Sequence, residues 1–293
     1  MNTKLRPSPT LWMAFAVFAG IALLLQTVSV LTDYEAATDY FRRGAVLPTI
    51  ACISALLAVA CGTAAAILSK ENLASSPYTE DRPHFPFSAI GYLIAGIGLT
   101  AIGKDVPALL AEAQKEQNTT PSLLALLAGI SFLIAAVFAI LTAFPQCRRY
   151  GNVLSTVGFF AVFGTILVNA YYYFDMTVEM NAPLKVAVQI GLLCVMLGIT
   201  GELRYLLKIP MPRTYRMLLS WTLSAGALSS LPVLVAYLSG KMIRADYLFG
   251  ALLILFYTIE AALSLCRLLC RSNENDRPDE PLPTDTAEGG IKE

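Results

Sequence analysis

Histidine and the short catalytic motifs are nearly missing from this chain of 293 residues. Its single histidine, His84, cannot build an imidazole metal cluster, and no H-E-x-x-H pattern occurs. A Walker-type phosphate loop, a G-x-S-x-G elbow and a dinucleotide-binding glycine fingerprint are missing as well. These gaps argue against an enzyme without deciding the question. We expect no metal and no cofactor.

Charged residues are also scarce. They make up 14% of the chain, against roughly 25% in an ordinary soluble domain, whereas hydrophobic residues make up 56%. The positive and negative charges balance to a formal net charge of zero. We therefore expect the lipid bilayer to be the main surrounding of this chain, and no nucleic-acid partner.

Eight apolar segments are long enough, or nearly long enough, to cross a bilayer. A spanning helix needs about 20 mostly apolar residues for a hydrocarbon core of roughly 30 Å. The sequence therefore predicts an all-α fold, a polytopic transmembrane bundle of eight spans. The predicted spans are Leu11–Leu31, Val46–Leu68, Phe87–Gly103, Pro121–Phe144, Val153–Phe174, Ala182–Leu203, Tyr215–Leu238 and Tyr247–Leu269.

The third of these spans is the weakest, because it is short and contains Gly91, Gly96, Gly98 and Gly103. Glycine lowers helix propensity in water but is common where membrane helices pack closely. Without this span, every later span would run in the opposite direction.

The loop charges predict the orientation of the bundle. Most of the 21 lysines and arginines fall on the side that holds both chain ends, and such charges stay in the cytoplasm. Both termini are therefore predicted to be cytoplasmic, in a multi-pass protein of the cell membrane. Residues 1–271 form the predicted transmembrane domain, and the acidic, proline-rich residues 272–293 form a predicted disordered cytoplasmic tail.

Glu260 is the clearest candidate for chemistry. An ionisable residue inside a span is costly and usually faces the bundle interior or a water-filled cavity. Tyr257, Ser264 and Arg267 lie at helical spacing on the same face. Glu260 either binds a cation, a proton or a substrate amine, or it joins helices through an ion pair or hydrogen bond, and the sequence leaves both open.

Two amides lie in the outer halves of spans five and six. Asn169 and Gln189 fall at similar depth and could line an outward-facing vestibule, or they could join helices through hydrogen bonds. The neighbouring Tyr171, Tyr172 and Tyr173 favour an aromatic belt at headgroup depth.

Span seven contains a proline after a serine-rich stretch. Pro232 frees the carbonyl of Leu228, and interrupted spans of this kind often line binding sites. Ser229 and Ser230 either contribute to such a site or form hydrogen bonds with the backbone and pack against a neighbouring helix.

Glu202 lies at the inner end of span six. The simplest role for a glutamate at this position is to anchor the helix at the membrane interface.

These patterns predict a protein that binds or transports a small solute between spans five and eight. The predicted ligand-binding residues are Asn169, Gln189, Ser229, Ser230, Tyr257 and Glu260. The alternative is a membrane sensor or scaffold, in which these residues are purely structural and a membrane protein partner binds the basic edge from Arg204 to Arg216. The expected partners are accordingly lipid, a small molecule or ion, and another membrane protein.

Overall fold

The computed structural model describes residues 7–69, 85–104, 120–175, 178–209, 211–242 and 244–274. Most of these residues are helical, and a short antiparallel hairpin joins the first two long helices through β1 (Tyr34–Glu35) and β2 (Tyr40–Phe41). The helices are α1 (Pro7–Thr32), α2 (Leu47–Leu68), α3 (Phe87–Ile102), α4 (Thr120–Ala143), α5 (Pro145–Arg148), α6 (Gly151–Phe174), α7 (Pro183–Leu206), α8 (Pro212–Leu238) and α9 (Ala245–Glu274).

Seven of the described helices, all except α3 and α5, are long and apolar enough to cross a bilayer, and each contains a candidate span of 22 to 27 residues. The chain is therefore an integral membrane protein with a multi-pass helical domain, and this part of the prediction is confirmed. Helix α3 has 16 residues. The eighth crossing, and with it the side of each terminus, stays a prediction. Most of the predicted tail, residues 275–293, lies outside the described residues.

Large apolar side chains cover the outside of the bundle. Along α1, Met13, Val17 and Leu24 follow one another at about one and two helical turns and are 70%, 59% and 66% exposed. The buried faces use small residues instead, such as Ala58 and Ala65 of α2. This distribution suits a lipid surrounding, because small residues let helices approach closely while large apolar groups lose nothing by facing acyl chains.

The helices form two connected groups. Helices α3, α4, α6, α7 and α9 pack in a ring, in which each helix contacts its neighbours. Helix α8 packs on α7 and α9 and carries α1 and α2 on its other side. We call the end of the bundle that carries the β1–β2 hairpin the hairpin end. The opposite end, at which α2 and α7 terminate, is called the far end.

Helix α3 is the member of this ring between α4 and α9, and it runs antiparallel to both. A Cβ atom added to Gly98 would lie 2.5 Å from the ring of Phe249 in α9, and one added to Gly96 would lie 2.9 Å from Leu133 in α4. Gly91 likewise faces the backbone of α9. The glycines that weaken α3 as an isolated helix are thus the residues that allow its close packing.

The contact between α4 and α3 gives a first testable prediction. A Cβ atom on Gly129 would lie 2.6 Å from the backbone nitrogen of Thr100 and 2.9 Å from the carbonyl oxygen of Gly96. Since a backbone cannot rotate away, we expect Gly129→Val to destabilise the protein by about 1–3 kcal/mol. Thermal unfolding in detergent measures this effect.

Gly20 in α1 provides the matched control, because a Cβ atom there meets nothing within 4 Å. Gly20→Val makes the same chemical change in a spanning helix and is expected to leave the melting temperature nearly unchanged. Equal losses in the two variants would contradict the close packing of α4 on α3.

Candidate functional site

The two serines of α8 bond within their own helix. Ser229 donates its hydroxyl to the carbonyl of Ala225 at 2.8 Å, and Ser230 donates to the carbonyl of Gly226 at 2.6 Å. Helix α8 continues through Pro232 to Leu238. Both hydroxyls thus satisfy neighbouring carbonyl groups, and their role as ligand groups stays a prediction.

The two amides predicted for the vestibule are half-buried. Asn169 donates from Nδ2 to the carbonyl of Thr165 at 3.0 Å, one turn earlier in α6. Gln189 lies in α7 and is also half-buried. Neither residue lines the two cavities described next, so their role in binding a ligand stays a prediction.

Glu260, in contrast, lines a polar cavity near the far end of the ring, and Tyr257 donates a hydrogen bond to a second glutamate of the same cavity. We call it the carboxylate cavity. Its volume of about 10 Å³ is close to the least space that one water molecule needs. The polar side chains that line it come from α3, α4, α7, α8 and α9, and they are Ser88, Tyr92, Thr142, Glu202, Tyr215, Glu260, Ser264 and Arg267.

Glu202 faces this cavity, which corrects its predicted role as an interface anchor. Its Oε1 atom accepts hydrogen bonds from the hydroxyl of Tyr257 at 3.0 Å and from that of Tyr215 at 3.5 Å. Two glycines of α7 make room for these rings. A Cβ atom on Gly198 would lie 2.8 Å from the Tyr257 hydroxyl, and one on Gly201 would lie 2.6 Å from the Tyr215 ring.

Glu260 lies one turn after Tyr257 and caps a different helix. Its Oε2 atom accepts a hydrogen bond from the backbone N–H of Ser88 at 2.7 Å. Ser88 is in the first turn of α3, where N–H groups have no partner within the helix and the helix dipole favours a negative charge. Helix α9 therefore provides both Tyr257, which donates to the Glu202 carboxylate, and the second carboxylate of the cavity, Glu260.

Two carboxylates, those of Glu202 and Glu260, line this cavity together with the guanidinium of Arg267. Two carboxylates that share one site within a membrane each make the negative charge of the other more costly. The pair is therefore suited to take up a positive charge, as a proton or a monovalent cation.

A larger pocket opens at the hairpin end. Its volume of about 490 Å³ falls within the range typical of small-molecule sites. Val178, Leu184 and Met242 form apolar parts of its wall. The polar residues of this hairpin-end pocket are Tyr34, Asp39, Lys185, Lys241, Arg244 and Tyr247.

Two lysines of this pocket hold the ends of helices. Lys185 is 2% exposed and donates from Nζ to the carbonyl of Asp175 at 2.8 Å, just after α6 ends. Lys241 donates to the carbonyls of Val30 and Leu31 at 2.9 and 2.7 Å, in the last turn of α1. Each ammonium satisfies carbonyl groups that have no partner in their helix and complements the helix dipole.

Arg244 binds two buried carboxylates. Its guanidinium contacts Asp175 at 2.8 Å and grips Asp246 at 2.6 and 3.1 Å. Burial alone would lower the pKa of Arg244, but the hydrogen bond and charge of Asp246, together with the charge of Asp175, raise it above its usual value. Arg244 thus stays charged and joins the end of α6 to the start of α9.

Two of the neighbouring tyrosines pack inside the bundle. The rings of Tyr172 and Tyr247 stack 4.8 Å apart, and the Tyr172 hydroxyl donates to the carbonyl of Asp246 at 2.7 Å. Tyr171 donates to a carboxylate oxygen of Asp246 at 3.0 Å. The predicted aromatic belt is therefore wrong for Tyr171 and Tyr172, because buried acceptors draw their hydroxyls inward. Tyr173 is exposed.

The β1–β2 hairpin borders this pocket, and its two tyrosines, Tyr34 and Tyr40, donate to carboxylates. Tyr34 donates to Asp39 at 3.0 Å, and its burial, with the charge and hydrogen bond of Asp39, raises the pKa of Tyr34. Tyr40 donates to Glu179 at 2.7 Å, and this hydrogen bond raises the pKa of Tyr40. The second bond ties the hairpin to the connection between α6 and α7.

At the far end, the predicted basic edge is partly turned inward. Arg216 is 1% exposed and donates from Nη1 to the hydroxyl of Ser69 at 2.8 Å, and Arg213 donates to the carbonyl of Ser69 at 3.3 Å. These bonds fix the start of α8 to the end of α2. Arg216 is thus not part of an accessible surface, and a partner at this edge stays a prediction.

The chain matches no protein-family model, no curated protein and no solved structure.

Proposed function

We propose that the protein is a transporter of the cell membrane that carries a small zwitterionic solute together with one positive charge. The hairpin-end pocket binds the solute, and the carboxylate cavity takes up the proton or monovalent cation. The observation that carries the proposal is that Glu202 of α7 and Glu260 of α9 share one cavity within a membrane bundle.

The proposed topology has eight spans, with the far end in the cytoplasm. Helix α3 has 16 residues and is therefore about 24 Å long, which is shorter than a hydrocarbon core of roughly 30 Å by little more than one helical turn. Its glycine contacts run from Gly91 to Gly103 against α9 and α4. Arginines such as Arg148 and Arg149 favour the cytoplasm for the far end, so the hairpin-end pocket faces outside.

The charges around the hairpin-end pocket support a zwitterionic solute. Its wall holds the cations Lys185, Lys241 and Arg244 and the carboxylate of Asp39. Asp175 and Asp246, the two carboxylates that bind Arg244, lie next to the pocket. With them, the three cations and three carboxylates of this region have a net charge of zero. A solute that carries one carboxylate and one amino group keeps this balance while it meets groups of both signs.

Two helices connect the two sites. Helix α7 carries Lys185 at the pocket and Glu202 at the cavity, and α9 carries Tyr247 at the pocket and Glu260 at the cavity. A small shift of α7 against α9 therefore changes both sites together. If the solute and the cation or proton both bind more strongly in one arrangement of these two helices than in the other, the binding of the solute is coupled to the uptake of the positive charge.

Uptake into liposomes tests the proposal. Purified protein is reconstituted, an acidic outside or a sodium gradient at equal pH is imposed, and accumulation of a mixture of radiolabelled amino acids is measured. We expect accumulation above that of protein-free liposomes under one of the two gradients, which identifies the coupled ion. Glu260→Gln and Glu202→Gln are expected to abolish the dependence on the gradient.

Glu35→Gln is the matched control, because Glu35 is exposed in the hairpin. It makes the same change outside the cavity and is expected to leave uptake unchanged. A wild-type protein that accumulates no amino acid under either gradient would overturn the proposed transport. Gradient-driven uptake that survives in both cavity variants would overturn the role of the carboxylates.

A further inference from the structure

A lateral groove lies near the hairpin end, between α2 and α7. Its volume is about 570 Å³. Gln26 of α1 and Leu228 of α8 line it between the two flanking helices, α2 contributes Thr49, and α7 contributes Val186 and Ile190. It shares no lining residue with the hairpin-end pocket or the carboxylate cavity.

The groove opens towards the lipid-facing surface of the bundle. Ile190, on its α7 wall, is 51% exposed. On the α2 side, Ile50 and Ile53 lie beside the lining residues and are also exposed. An acyl chain can therefore enter from the side.

The side-chain oxygen of Gln26 has no hydrogen-bond partner, and Gln26 lines this apolar groove. Its side chain is 4% exposed, and its Oε1 atom is buried. A buried amide oxygen without a hydrogen bond is unfavourable, above all within a membrane. The position of Gln26 in the groove indicates that a bound molecule supplies the missing hydrogen bond.

A cationic group lies at the rim of the same groove. Arg42 follows β2, lines the groove and is exposed. Among the described residues, the ion pairs of the hairpin end involve Arg244 and not Arg42. A guanidinium presents a planar set of donors that matches a phosphate group.

We propose that this groove binds an anionic phospholipid. One acyl chain lies along the apolar walls, and the phosphate group binds Arg42. The side-chain amide of Gln26 turns so that its N–H group donates a hydrogen bond to an ester carbonyl of the lipid. The amide can serve a carbonyl as well as a hydroxyl, because it carries both a donor and an acceptor and its two orientations have nearly the same shape. The site does not depend on the proposed transport.

Native mass spectrometry of the protein in mild detergent tests this site. The protein is mixed with equal amounts of dioleoyl phosphatidylglycerol and dioleoyl phosphatidylcholine, which share their acyl chains and differ in net charge. We expect the wild-type protein to retain mainly the phosphatidylglycerol. Arg42→Gln should lower that retention about tenfold, as expected for the loss of one charge-assisted contact.

Two further variants make the test specific. Gln26→Leu should lower the retention of both lipids, because the ester group is common to them. Arg43→Gln is the control, since Arg43 is the next residue, is exposed and does not line the groove. Equal retention of the two lipids by the wild-type protein, or equal losses in the Arg42 and Arg43 variants, would overturn the proposal.

Discussion

Arg244→Gln is expected to be among the most destabilising single changes at the hairpin end. It would leave Asp175 and Asp246, which are 6% and 5% exposed, without the cation that bridges them. Loss of one partner from a buried ion pair typically costs about 3–5 kcal/mol. Because Arg244 is itself 30% exposed, we expect roughly 2–3 kcal/mol, or about 5–10 °C in melting temperature.

A second substitution separates the ion pair from a general loss of packing. Asp246→Asn in the Arg244→Gln background removes one of the two carboxylates that Arg244 binds, so it should recover part of the lost stability. The interaction energy of this double-mutant cycle measures the Arg244–Asp246 pair directly. If the two losses simply add, Arg244 and Asp246 do not stabilise the start of α9 as an ion pair.

Tyr257→Phe is expected to have the largest effect on transport among changes that keep the shape of the core. It removes the hydroxyl that donates to Glu202 at 3.0 Å. A hydrogen bond to a charged group contributes about 1.5–3 kcal/mol, so gradient-driven uptake should fall at least about tenfold. Liposome uptake and thermal unfolding, measured on the same preparation, distinguish this effect from misfolding.

Tyr215→Phe provides the graded comparison. Its hydroxyl lies 3.5 Å from the same oxygen, at the outer limit of a hydrogen bond, so its loss should reduce uptake much less. Equal effects of the two variants would contradict the geometry of the carboxylate cavity.

The sequence allows part of this cavity to be predicted. A glutamate inside an apolar span stands out by its cost, and helical spacing places Tyr257 on its face. Glu202 was missed because a carboxylate near the end of a span fits an interface anchor equally well. The available signal was the pair of glycines at 198 and 201, which leave space beside Glu202 for the two rings that bond to it.

The hairpin-end network could not be predicted, because it depends on contacts between distant segments. Asp175 and Arg244 are far apart in the chain, and no periodicity indicates that the end of α6 lies against the start of α9. The tyrosines next to Asp175 resemble an aromatic belt in sequence. Only the fold shows that Tyr171 and Tyr172 find buried acceptors.

Infrared difference spectroscopy tests the central claim most directly, namely that Glu202 and Glu260 share one cavity and take up a positive charge there. The carboxyl C=O stretch is recorded on bilayer-reconstituted protein while pH or sodium concentration is changed. We expect a buried carboxyl signal that both Glu202→Gln and Glu260→Gln alter and that Glu35→Gln leaves intact. A spectrum that is the same in the wild-type protein and in both cavity variants would contradict this claim.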